Sequence, residues 1–146
     1  VPDFSAASTD GMFKLHNYAG KYLVIYFYPK DNTPGCTREG QDFRDLYQEF
    51  KTNNAEIFGV SRDTLESHHK FKKAQEFPFN LLADTDEAVC SLFDVLDTKT
   101  NPSRGTCSMI RTTFVIDPTG VLVREWRGVT VTNHANEVLQ FIKSNS

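Results

Sequence analysis

The chain has 146 residues, of which 39% are hydrophobic and 24% charged. That balance fits one packed domain over residues 1–146 and excludes a disordered chain. Its net charge of −3 argues against non-specific nucleic-acid binding, which needs a concentrated basic surface, and no apolar run approaches the length of a membrane span.

The chain opens on Val1-Pro2-Asp3-Phe4 with no secretory signal, a start that fits a processed or trimmed N-terminus. In "FSAASTDGMFKLHNY", Asp10-Gly11 separates two short runs and predicts an N-terminal β-hairpin. Residues 21–28, "KYLVIYFY", are almost all apolar, β-branched or aromatic, as in a strand buried on both faces. Pro29 ends that strand. After a loop, residues 36–51 read as a helix, with Phe43, Leu46, Tyr47 and Phe50 at helical spacing. "EIFGVS", residues 56–61, is the next buried strand. Residues 64–76 read as a polar, exposed helix opened by Thr64-x-x-Ser67. "FNLLAD" is a short strand or extended segment and "DEAVCSLFDV" a short helix. Residues 97–109 are rich in Thr, Asn, Pro and Ser and read as a loop. "RTTFVID", the turn Pro118-Thr119-Gly120 and "VLVREWRG" form a late hairpin, and residues 134–143 a closing helix. Strands alternating with helices predict an α/β protein, a sheet with helices on its faces.

The cysteines are Cys36, Cys90 and Cys107. An odd, sparse set is no disulfide scaffold, and no ligand spacing suggests zinc. A reducing, cytoplasmic compartment is expected, and an isolated cysteine is by default a small buried hydrophobe. Cys36 departs from that default through its surroundings. It lies at a predicted helix start, directly after a strand-to-helix loop, where unpaired N–H groups and the positive end of the helix dipole favour thiolate over thiol. Thr33 can place a hydroxyl near the sulfur or a bound oxygen, and Pro29 and Pro34 stiffen the loop. Glu39, one turn on and on nearly the same helix face, works against a thiolate unless a cation answers it. Arg38, Arg44 and Arg111 are the candidate cations.

The set Pro29-x-x-x-Thr33-x-x-Cys36 resembles the signature of the peroxiredoxins, and "YFYPKDNTPGCTRE" resembles their Q-type, or bacterioferritin-comigratory, subfamily. The resemblance continues in "VPDFSA", "GVSRD", "FNLLAD" and "RTTFVIDPTG". It implies a thioredoxin-like fold with a central mixed β-sheet flanked by helices. It also implies a thiol-dependent peroxidase for hydrogen peroxide and organic hydroperoxides. In that family Cys36 would be the peroxidatic cysteine, whose thiolate attacks the peroxide and becomes a sulfenic acid. Thr33 would hydrogen-bond the peroxide and Pro29 would cover the site. Arg111 would stabilise the thiolate and the leaving oxygen, and Glu39 would orient Arg111. No metal, haem, flavin or nicotinamide cofactor is expected.

One departure stands out. Many Q-type members carry a resolving cysteine five residues after the first, where this chain has Gln41. That bridge requires the helix to unwind, because residues i and i+5 lie roughly 140° apart around the axis. Cys90, between Val89 and Leu92, reads as structural, and Cys107, in the polar loop before Arg111, as the more mobile candidate resolver. The expected course is therefore a one-cysteine mechanism with an external thiol reductant: thioredoxin, glutaredoxin or glutathione. An atypical two-cysteine enzyme using Cys107 or Cys90 is the alternative. A thiol transferase on the same fold would leave Thr33 without a clear purpose; a non-catalytic redox sensor, in which Cys36 would oxidise slowly and signal through a partner, is the third reading. His68 and His69 read as solvated, His16 and His134 as lacking an obvious partner, and Trp126 as hairpin packing. The absence of a Gly-Gly-Leu-Gly loop and of a C-terminal arm after "FIKSNS" suggests a monomer or weak homodimer.

Overall fold

The computed structural model describes residues 2–97 and 108–145. The strands β1 (Ser5–Ser8) and β2 (Gly11–Lys14) form the N-terminal hairpin, with Ser8 opposite Gly11. Gly11 takes a left-handed φ of 84° at that turn, which glycine adopts without steric cost. A short 3-10 helix, Leu15–Tyr18, follows. Next come β3 (Tyr22–Phe27), α1 (Pro34–Thr52), β4 (Ala55–Ser61), α2 (Leu65–Gln75), β5 (Asn80–Ala83) and α3 (Ala88–Phe93). The chain continues through β6 (Leu96–Asp97), β7 (Ser108–Met109), β8 (Thr112–Ile116), β9 (Leu122–Arg127) and α4 (His134–Asn145).

Seven strands form one mixed sheet in the order β2-β1-β5-β4-β3-β8-β9. Two crossovers, β3-α1-β4 and β4-α2-β5, join parallel neighbours, while β8 runs antiparallel to β3 and β9 to β8. The N-terminal hairpin extends the sheet by pairing β1 antiparallel with β5. The expected loop at 97–109 is corrected at its ends, because β6 and β7 pair with Leu96 opposite Met109. Residues 98–107, and with them Cys107, lie outside the described residues.

The alternation in β3 separates two cores. Val24, Tyr26 and Tyr28 face one side with Cys36, Phe43 and Phe50 of α1, Phe71 of α2 and Val138, Leu139 and Ile142 of α4. Leu23, Ile25 and Phe27 face the other with Phe13, Val89 and Cys90. Gly59 makes the first core possible, since a Cβ there would lie 2.8 Å from both Tyr26 and Leu81.

Three expectations are corrected by these faces. The helix α2 is not exposed all round, because its inner face buries Phe71 and His68. His68 is fully buried and hydrogen-bonded rather than solvated. His134 has partners: Nε2 lies 2.7 Å from the Thr113 hydroxyl, and the ring packs edge-on against Phe43 and Trp126. Burial first, then the Arg111 charge, pushes its pKa down to about 4, so the ring is neutral near pH 7. Trp126 packs on Phe141 of α4 as well as on His134. His16 pairs with Asp3 at 2.9 Å on the surface.

Candidate active site

The pairing of β8 with β3 builds this site. Thr112 lies opposite Phe27, the last residue of β3, so Arg111, one residue before β8, arrives where the chain leaves β3 and turns into α1. That turn is made by Asn32, held at a left-handed φ of 61°, followed by Thr33 as N-cap and Pro34 as first helical residue. Proline fits there because its missing N–H would have no intrahelical partner. The helix thus begins two residues before the expected boundary, with Cys36 in its first turn.

Cys36 is 2% exposed. The Arg111 Nη2 donates toward its Sγ at 3.4 Å, and Nη1 donates to Glu39 Oε1 at 2.7 Å. One guanidinium fork therefore serves the sulfur and the carboxylate together. A Cβ on Gly35 would stand 3.2 Å from Arg111 Nη2, so a residue without a side chain keeps that approach open. The Arg111 carbonyl accepts from the Val129 N–H at 2.9 Å, which fixes the backbone beneath the fork. The other candidate cations point elsewhere: Arg38 pairs with Asp42 and Arg44 with Asp45.

The Thr33 side chain does not cap its own helix. Its hydroxyl donates to the Lys30 carbonyl at 2.9 Å, leaving the oxygen's lone pairs to accept from a bound group. Pro29 is an exposed residue at the start of the loop. Gln41 donates to Gln75 at 2.9 Å and ties α1 to α2. Cys90 is fully buried in the core on the opposite face of the sheet from Cys36, and burial, together with the carboxylate of Asp84, pushes its thiol pKa up. No group of side chains suited to holding a metal ion occurs among the described residues, and no helix among them is long and apolar enough to cross a membrane.

Glu39 is 1% exposed, and its Oε2 has no hydrogen-bond partner among the described residues. Burial pushes its carboxyl pKa up to about 7, against 4.5 for a free glutamate, with Arg111 only partly offsetting the burial. The folded carboxyl thus binds its proton more tightly than the unfolded one. Its contribution to stability is complete below about pH 4.5 and is lost as pH rises through about 7. Glu39→Gln keeps the shape and an oxygen for Arg111 but removes the titration. Urea unfolding between about pH 5 and about pH 8 should show wild type losing more stability than Glu39→Gln as pH rises. Parallel curves would remove Glu39 as the source of that dependence.

A network behind the loop was not foreseen. Asp31, His68, Tyr28 and Ser67 are joined by hydrogen bonds. Its one sequence signal is Asp31 itself, a carboxylate two residues before Thr33.

Residues 1–125 match the family model described as the AhpC/TSA family. A relative named peroxiredoxin Bcp, from Bacillus subtilis, is 45% identical over 147 residues, covering 100% of this chain and 94% of that protein. Its namesake from Xanthomonas campestris is 47% identical over 132 residues, covering 90% and 82%. Among solved structures, Xanthomonas campestris peroxiredoxin Q superposes with a TM-score of 0.89 at 43% identity, covering 97% of this chain and 90% of that one. A structure of the bacterioferritin comigratory protein of the same organism, described in terms of its alkyl peroxide reduction activity, superposes with a TM-score of 0.89 at 42% identity, covering 97% and 91%.

Proposed function

Since this chain belongs to the AhpC/TSA family, among its Bcp and Q-type peroxiredoxins, we propose that its thiol-dependent peroxidase chemistry runs through Cys36, with Thr33 and Arg111 on the substrate. The observation that carries this reading is the single fork of Arg111, which reaches Cys36 Sγ and Glu39 together. The fold is thioredoxin-like, and the 146 residues act as one catalytic domain.

The Cys36 thiolate attacks the terminal oxygen of the peroxide along the O–O axis. The S–O bond forms as the O–O bond breaks. Cys36 is oxidised by two electrons to a sulfenic acid, and the departing oxygen leaves as water or alcohol once it has taken a proton. Charge moves from sulfur to the leaving oxygen. A cation fixed beside the sulfur before reaction stabilises that charge without having to reorganise. Thr33 accepts from the peroxide O–H, because its own hydrogen is already committed to the Lys30 carbonyl. Pro29 borders the entrance. Glu39 holds Arg111 in register and, with its carboxyl near neutrality, leaves much of the guanidinium charge to the sulfur.

The mechanism is one-cysteine. Position 41 is glutamine, and Cys90 is buried behind the sheet. Reduction of Cys36 falls to an external thiol, with thioredoxin, glutaredoxin and glutathione as the candidate class, acting on a cytoplasmic monomer or weak homodimer. Substrates are hydrogen peroxide and organic hydroperoxides.

Treating the protein with one equivalent of peroxide in the presence of dimedone, followed by peptide mass spectrometry, tests this reading. The expected product is a dimedone adduct on Cys36 alone. A stoichiometric Cys36–Cys107 or Cys36–Cys90 bridge would overturn the one-cysteine course, and an adduct elsewhere would overturn the assignment of Cys36.

A further inference from the structure

Two buried titratable residues, one in the loop that carries Thr33 and one on the helix behind it, are used by neither step of the peroxide reaction above. Asp31 in the loop is 7% exposed and His68 on α2 is 0% exposed. Asp31 Oδ1 accepts from the Tyr28 hydroxyl at 2.6 Å. Its Oδ2 accepts from the Ser67 hydroxyl at 2.8 Å and lies 2.7 Å from His68 Nδ1. On the far side of the ring, Nε2 donates to the Leu82 carbonyl at 2.8 Å, which fixes a proton there. A contact of 2.7 Å between Nδ1 and a carboxylate that already accepts twice needs a further proton between them. The pair is therefore joined by one bridging proton between Nδ1 and Oδ2, with a second proton fixed on Nε2. The Asp31 N–H also donates to Asp63 Oδ2 at 2.8 Å, and that oxygen accepts from the Ser61 hydroxyl at 2.6 Å. The loop is thus tied by side chain and backbone to α2 and to the end of β4.

A buried ion pair is weak evidence for stability, because desolvation offsets most of the attraction. What it fixes is geometry. Here the element fixed is the segment leading into the first turn of α1. Apart from the Arg111 fork and the Thr33 hydroxyl on the Lys30 carbonyl, that turn is closed at its N-terminal end by the Thr37 N–H donating to the Thr33 carbonyl at 2.8 Å, and Thr33 supplies no side-chain cap. Cys36 at 2% exposure is reachable by a small peroxide. A thiol carrying its own chain must approach the sulfenic sulfur in line with the departing oxygen, so the turn must first swing outward.

We propose that the Asp31–His68 pair is the latch on the Cys36 turn: two positioning residues that hold the peroxide-reactive form and set how often the sulfenic acid opens to its reductant. The proposal rests on Cys36 being the peroxidatic residue. In the step it controls, the reductant thiol sulfur bonds to Cys36 Sγ as the S–O bond breaks, and the oxygen leaves as water with the thiol's proton. A second thiol then attacks the mixed disulfide, is oxidised with the first to their disulfide, and returns Cys36 reduced.

The two ring nitrogens can be tested separately. His68→Gln can still donate to the Leu82 carbonyl but withdraws the donor from Asp31. His68→Asn keeps a donor for Asp31 and gives up Leu82. After one equivalent of peroxide, dimedone should label Cys36 about tenfold faster in His68→Gln than in wild type, the factor expected for one lost charge-assisted hydrogen bond. The rate constant with peroxide should stay within about threefold, and His68→Asn should label near the wild-type rate. Tyr28→Phe removes one bond to Asp31 without emptying buried volume, and severalfold faster labelling is expected there even if both His68 variants fail to fold. Wild-type labelling rates in His68→Gln and Tyr28→Phe would overturn the latch. So would equal labelling of His68→Asn and His68→Gln, or a parallel fall of both half-reactions. Wild-type protein that takes no label on Cys36 would instead sink the assignment of Cys36 itself.

Discussion

Arg111→Ala is expected to lower the second-order rate constant for peroxide by about a hundred- to a thousandfold, the loss typical of removing one preorganised charge donor from a reacting centre. The geometry makes this the largest effect available short of removing the sulfur. Nη2 is the cationic donor at Cys36, 3.4 Å from Sγ, and Arg38 and Arg44 are paired with Asp42 and Asp45. Arg111→Lys should fall between the two, because an ammonium cannot span Glu39 and Cys36 as the fork does. Alanine also leaves Glu39 buried without its cation. An unpaired buried charge costs about 3–5 kcal/mol. Glu39 escapes much of that cost by keeping its proton, since burial already pushes its carboxyl up to about 7. The variant should therefore be closer to wild-type stability at about pH 6 than at about pH 8. Competition kinetics for the rate and urea unfolding at both pH values check the two halves. A rate within a few-fold of wild type would show that Arg111 does not face the reacting sulfur.

Strands, helices and their order were largely legible in the sequence, because burial imposes periods that survive in the residue pattern. "YLVIYF" is a strand between two cores and reads as one; the α1 pattern of Phe43, Leu46, Tyr47 and Phe50 reads as a helix. Thr64 capping the Ser67 N–H was equally plain. Boundaries were less so. Proline at the first helical position moved the start of α1 to Pro34, ahead of the first periodic residue.

His68 shows why the rest was hidden. It stands in "ESHHKFKK", surrounded by charge, and only its place three residues before Phe71 puts it on the inner face of α2. Its partners, Asp31 in the loop and the Leu82 carbonyl in β5, are distant in the chain. Histidine pairs of this kind leave no local period. His134 was obscure for the same reason: its burial depends on α4 lying over Phe43 and Trp126. The pairing of Glu39 with Arg111 could be anticipated from the family motif alone, since 72 positions separate them. The register of β8 on β3 is what brings them together in space.

Cys36→Ser removes the one atom on which the account depends while keeping nearly the same volume in the first turn of α1. A serine hydroxyl at neutral pH is a far weaker nucleophile than a thiolate and forms no stable adduct with a peroxide oxygen. The surrounding fork, the Thr33 hydroxyl and the fold itself should remain. The most direct measurement is peroxide consumption by wild type and Cys36→Ser with dithiothreitol as the only reductant. Wild type should turn over continuously, and Cys36→Ser should consume peroxide no faster than dithiothreitol alone. Sustained peroxide turnover by a folded Cys36→Ser, or none by wild type, would contradict it.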